Sequence, residues 1–96
     1  MAAEQSSTRA NYRFLEVNVA LWKRALEGYY EKKMATIQGG YQLQVVGLEL
    51  RRLTLSLYER RSMLMVQGSA RIIDSWISDH ASVIEYLSRA LEVHNL

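Results

Sequence analysis

The sequence contains no cysteine and no proline. The first absence excludes a disulfide framework and any thiolate metal site, and it leaves the compartment unconstrained by redox chemistry. The second means that no helix or strand is stopped by a proline, so the five glycines must punctuate the chain. No apolar run approaches the roughly 18–20 residues needed to cross a bilayer. The opening residues 1–7 lack an apolar segment and read as a flexible tail, not a signal peptide, with a cytoplasmic or nuclear setting as the expectation. Net charge is also small. Twelve Lys and Arg stand against ten Asp and Glu, a net charge of +2, which permits a nucleic-acid partner without demanding one.

What is present is apolar. Of 96 residues, 49% are hydrophobic, enough for one folded domain, expected over residues 8–96, and too short for two. Ser7 or Thr8 can cap a helix. Leu15, Val19, Trp22, Leu26 and Tyr29 then recur at intervals of three and four, widened by Phe14, Val17, Leu21 and Ala25. That stripe predicts one long helix reaching about Ile37, with Lys23 and Glu27 placed to pair one turn apart. Such a helix would run to nearly 40 Å at about 1.5 Å per residue, longer than a compact domain of this size needs.

Gly39-Gly40 ends the helical phase, and the period falls to two. Tyr41, Leu43 and Val45 alternate with Gln42 and Gln44, until the phase slips at Val46-Gly47, as at a β-bulge or a turn. Leu53, Leu55 and Leu57 alternate with Thr54, Ser56 and Tyr58, and Met63–Gln67 returns after a polar link, which reads as a hairpin. Gly68 closes it, and Ser69 can cap a helix whose apolar face includes Ile72, Ile73, Trp76, Ile77, Ile84 and Leu87. A capping-box spacing at Ser82–Glu85 leaves two forms open, one bent helix or two short ones broken near Asp79. The expected class is α+β: a long N-terminal helix, an antiparallel sheet of two or three strands, and a C-terminal helix packed on the sheet.

The run from Leu53 to Ser69, leading straight into a helix, resembles the second half of a TATA-binding-protein repeat, and Gln44–Arg52 resembles the strand and turn before it. The resemblance covers residues 41–92 and implies a strand, a short turn, a strand ending in glycine, and a helix across the back of the sheet. The chain departs from that pattern in three ways. The family has a strand before its first helix, where periodicity here gives helix alone. The family has two copies, and this chain has one. Phe14, the sole phenylalanine, falls in the expected first helix, so nothing matches the phenylalanines that the family wedges between DNA base steps.

Candidate chemistry is sparse. No nucleophile–base arrangement, phosphate-binding glycine loop or carboxylate pair stands out, so the chain is expected to be no enzyme and to hold no cofactor or metal. His80, between Ile77 and Ile84, reads as a capped or partly buried histidine at a helix break. Trp22, Tyr29 and Tyr30 on the long helix, and Met63 and Met65 on a strand face that would otherwise be polar, are the candidate partner-binding residues. They admit a second reading as ordinary core. Arg51, Arg52, Arg60, Arg61 and Arg71, with Tyr58 on the sheet, are the candidates for phosphate and base contacts, or else are solvated charges guarding sheet edges. The leading expectation is a non-catalytic interaction module that self-associates as a homodimer and binds a macromolecular partner. The alternative is a nucleic-acid-binding module using the arginine-flanked sheet.

Overall fold

The computed structural model describes residues 11–46 and 52–87. Five strands and two helices follow in the order β1 (Asn11–Glu16), α1 (Val19–Tyr30), β2 (Ala35–Ile37), β3 (Gly40–Val46), β4 (Arg52–Tyr58), β5 (Met63–Gly68) and α2 (Ala70–Asp79). Residues 81–87 form a third helical segment, α3. The strands make a single antiparallel sheet in the order β1-β5-β4-β3-β2. The class is therefore α+β, with more strands and a shorter first helix than the periodicity suggests.

The long N-terminal helix is corrected at both ends. Asn11–Glu16 pairs with β5 over its whole length, because Tyr12, Phe14 and Glu16 alternate with Arg13 and Leu15 as well as they fit a helical stripe. Asn18 starts α1: its side-chain oxygen accepts from the Leu21 amide at 3.0 Å. Gly28 does not end the helix, which runs through it to Tyr30. Glu31 ends it, in the left-handed conformation (φ 52°), its amide bonded to the Glu27 carbonyl. Twelve residues give about 18 Å of helix, less than half the length that the periodicity suggests. The Glu27 carboxylate then fastens the exit. It accepts from the Met34 amide at 2.8 Å and pairs with Lys23 at 3.2 Å, contacts that hold its pKa below the ordinary glutamate value.

From residue 40 onward the alternation is realised. Gly40–Val46 pairs with Tyr58–Arg52 without a bulge, and residues 47–51, where the phase slips, lie outside the described segments. The Ser7 or Thr8 cap and the N-terminal tail lie outside them as well. Gly40 is obligatory: a Cβ there would sit 1.7 Å from the Leu57 carbonyl oxygen. Ser69 caps α2, accepting from the Ile72 amide at 3.3 Å, and the break falls at His80.

Among the described residues the helices cover one side of the sheet only. Leu43 from β3, Leu53, Leu55 and Leu57 from β4, and Leu64 and Val66 from β5 are buried with Trp22 and Leu26 of α1 and Ile73 and Trp76 of α2. Each such side chain contributes about 1.5–3 kcal/mol by leaving water, before chain entropy is counted. Trp76 adds a tether: its indole N–H donates to the Tyr30 hydroxyl at 2.7 Å, while burial raises the Tyr30 pKa.

Candidate interaction surface

Directly opposed residues in an antiparallel ladder point to the same side, so the register defines the other face of the sheet. Across it run three rows. Glu16, Met63, Tyr58, Gly40 and Ile37 form the first. Phe14, Met65, Ser56, Gln42 and Ala35 form the second, and Tyr12, Gln67, Thr54 and Gln44 the third. Arg52 and Val46 stand beyond the third row. No element among the described residues covers this face.

Its two halves differ. On β3 and β4 the side chains are largely polar, and Gln42 donates to the Ser56 hydroxyl at 3.2 Å, closing off a serine that has no solvent exposure. On β1 and β5 they are bulky and mostly apolar. Tyr12 and Phe14 are each 54% exposed, and the half-buried Met63 and Met65 lie beside them. Tyr12 and Phe14 are the residues that the helical reading of the N-terminus conceals, and their alternation with Arg13 and Leu15 is the signal that could have revealed them.

The sequence candidates are distributed as follows. Met63 and Met65 lie on the open face, as their alternation suggests. Trp22 is 1% exposed and belongs to the core on the other side. Tyr30 is half-buried against Trp76, and Tyr29, at 67% exposure, packs edge-on against Tyr30 and His80 on the helical side. Helix and strand candidates therefore do not share a surface.

The arginines are likewise dispersed. Arg52 stands at one end of β4 on the open face, and Arg60 and Arg61 are in the turn at its other end. Arg71 is exposed on α2, on the opposite side of the sheet, and Arg51 lies outside the described residues. Tyr58 is half-buried between Met63 and Gly40. Among the described residues the open face carries one cation, Arg52, and one anion, Glu16.

His80 occupies the break between α2 and α3. Its Nδ1 lies 2.8 Å from the Trp76 carbonyl, which can only accept, so Nδ1 carries the proton and donates. Its ring stacks on Trp76 at 4.3 Å, and Nε2 is buried with no hydrogen-bond partner among the described residues. No group of three or more His, Cys, Asp or Glu among the described residues is arranged to hold a metal ion. A groove of about 890 Å³ beside α1 mixes Lys23, Arg24, Lys32 and Lys33 with Glu27, Glu31 and Glu59, so both signs of charge line it. No helix among the described residues is long and apolar enough to cross a membrane.

Comparisons with known protein families, curated proteins and solved structures found no match, so the reading of this surface rests on its own chemistry.

Proposed function

We propose that the chain is a non-catalytic interaction module whose working surface is the open face of the sheet. The observation that carries this reading is the placement of Tyr12, Phe14, Met63 and Met65 together on a face that no described element covers. A solvated sheet face is ordinarily polar, and aromatic residues and methionine concentrate where proteins meet. Nucleic acid is the less favoured occupant, because the four described arginines, Arg52, Arg60, Arg61 and Arg71, do not gather on that face and Glu16 stands on it. The resemblance to the TATA-binding-protein repeat supports a sheet with helices across its back. β1 precedes α1 and brings Phe14 onto the open face. Fold alone does not carry a DNA function with it.

The test is a photo-crosslinking residue, p-benzoylphenylalanine, placed at Phe14 or Met65 and, as a control, at Arg71 on the helical side. In lysate of cells expressing the chain, positions 14 and 65 are expected to form defined protein adducts and position 71 none. Equal labelling at all three positions, or none at any, overturns the reading.

A further inference from the structure

We propose that β1 pairs edge to edge with β1 of a second copy of this chain, so that the bulky halves of two open faces join into one surface. This rests on the reading of that face as the working surface, and it adds the copy that completes it.

The two edges of the sheet are unlike. β2 is three residues long and stands just after Lys32 and Lys33, the short, lysine-guarded form of edge that resists further pairing. β1 is six residues long, regular over its whole register, and without lysine, proline or bulge. Its hydrogen bonds have a definite phase. The Val17 N–H donates to the Ser62 carbonyl at 2.8 Å, one step beyond the Glu16–Met63 pair in the same register. The odd-numbered residues of β1 therefore bond to β5, and Tyr12, Phe14 and Glu16 turn their N–H and C=O groups outward. No described strand lies on that side.

The outward row is complementary to itself. A two-fold axis normal to the sheet at Phe14 sets Phe14 opposite Phe14, and Tyr12 opposite Glu16 of the second copy. All three outward residues then exchange a pair of hydrogen bonds, about six in all. Every side chain keeps its face, because each pair joins even-numbered residues. The neighbouring registers are poorer. Centred on Arg13 the axis opposes two guanidiniums, centred on Leu15 it leaves Tyr12 unbonded, and centred on Glu16 it opposes two carboxylates. On the helical side, α2 lies over both β1 and β5, with Asp74 3.1 Å from Arg13. Strands about 4.8 Å apart put α2 about 5 Å from the seam, so the two copies of α2 stand about 10 Å apart, the spacing of packed helices. Each brings its Arg13–Asp74 pair to the seam, and neither pair carries net charge.

The product is one sheet of ten strands, five from each copy. Tyr12, Phe14, Met63 and Met65 of both copies meet at its middle, with the polar halves to either side. A partner protein then touches side chains from two copies at once.

The absence of cysteine makes the register directly testable. Light scattering over a wide concentration range should give a mass rising to twice the 11.1 kDa of the chain and falling on dilution. Phe14→Pro removes an outward donor and leaves the ladder to β5 intact, so it should return the chain to monomer with an unchanged circular dichroism spectrum. Phe14→Cys sets two thiols in one hydrogen-bonded pair, with Cα atoms about 5.5 Å apart and within disulfide reach. Tyr12→Cys sets them four residues apart along the seam, about 14 Å and out of reach. Mild oxidation of dilute protein should link Phe14→Cys about 10-fold faster than Tyr12→Cys, and should join Tyr12→Cys to Glu16→Cys when the two are mixed. A monomer at every concentration overturns the pairing, and so does a dimer in which Phe14→Cys links no faster than Tyr12→Cys. The two readings separate cleanly. A monomer that still forms adducts with other proteins from position 14 removes the second copy and keeps the interaction surface. A linked dimer without such adducts keeps the pairing and removes the binding of other proteins.

Discussion

Leu64 and Met65 are neighbours on β5 that face opposite ways, and truncating each to alanine should have very different consequences. Leu64 has no solvent exposure and lies between Leu15 and Leu57 in the register, beneath the helices. Leu64→Ala removes three carbons from that environment, about 2.4 kcal/mol at roughly 0.8 kcal/mol per carbon. The surrounding strands are hydrogen-bonded on both sides and cannot collapse fully into the space, so the residual cavity raises the cost to about 3–4 kcal/mol. Met65 is half-buried on the open face, where water reaches part of its side chain. Met65→Ala should cost about 1 kcal/mol or less.

The assay is urea unfolding followed by tryptophan fluorescence, with both proteins dilute enough to be monomeric. For a urea slope of about 1.5 kcal/mol per M, the Leu64 variant should lose about 2–2.7 M from its midpoint and the Met65 variant less than 1 M. A Met65 penalty equal to that of Leu64 under these conditions would show that the open face is not open, and the proposed surface would fall with it.

Gly40→Ala should be among the most damaging small substitutions, at about 3 kcal/mol, because the new methyl meets the Leu57 backbone and not a side chain that can move; a thermal melt measures it. Glu27 has a lowered pKa, so its contribution is present above its ordinary value of 4.5 and is lost as pH falls through the folded value. Unfolding curves from pH 6 to pH 2 should therefore be flatter for Glu27→Gln than for the parent. Tyr30 has a raised pKa, so its contribution is complete below its ordinary value of 10.0 and is lost as pH rises through the folded value. Tyr30→Phe should remove that alkaline loss. It should also cost about 1 kcal/mol at neutral pH, since the Trp76 indole N–H loses its acceptor.

Much of the second half of the fold is legible in the sequence, because there a single period fits each segment. Leu53, Leu55 and Leu57 can only be a strand face, and Ser69 before an apolar helical stripe can only be a cap. The first 40 residues admit two periods. Phe14, Val17, Leu21 and Ala25 satisfy a helix, while Tyr12, Phe14 and Glu16 satisfy a strand, and only the second half of that stretch is helical. The deciding residue is Asn18, whose capping bond marks the start of α1 and which no periodicity count registers. The helix ends at Glu31 in a left-handed conformation, with no glycine or proline to announce it. The site inherits the same ambiguity. Met63 and Met65 are readable from alternation, but Phe14 and Tyr12 reach the face only through the pairing of β1 with β5, and long-range pairing is not written in local sequence.

The strength of any partner's hold follows from the same residues. Within one sheet, β3 and β4 present mostly polar side chains to the open side and β1 and β5 present apolar ones, so solvation alone does not account for the choice. Nor does the domain's own core, which is packed on the other face. An aromatic side chain can bury about 150–250 Å², so covering the exposed 54% of Tyr12 and Phe14 removes about 100 Å² each from water. At about 25 cal/mol per Å² that is roughly 5 kcal/mol for the pair, with Met63 and Met65 adding smaller amounts. Association itself costs about 4–15 kcal/mol in lost translation and rotation. The surplus is small, so the contact should be reversible and concentration-dependent, with its affinity resting on very few side chains. Phe14→Ala removes about 2.5 kcal/mol of that gain per copy, which weakens the hold of a different partner by about 70-fold and that of a symmetric second copy on this face by about the square of that factor, since both copies lose the ring. Sedimentation equilibrium measures it directly, and an unchanged dissociation constant would place the contact somewhere other than this face.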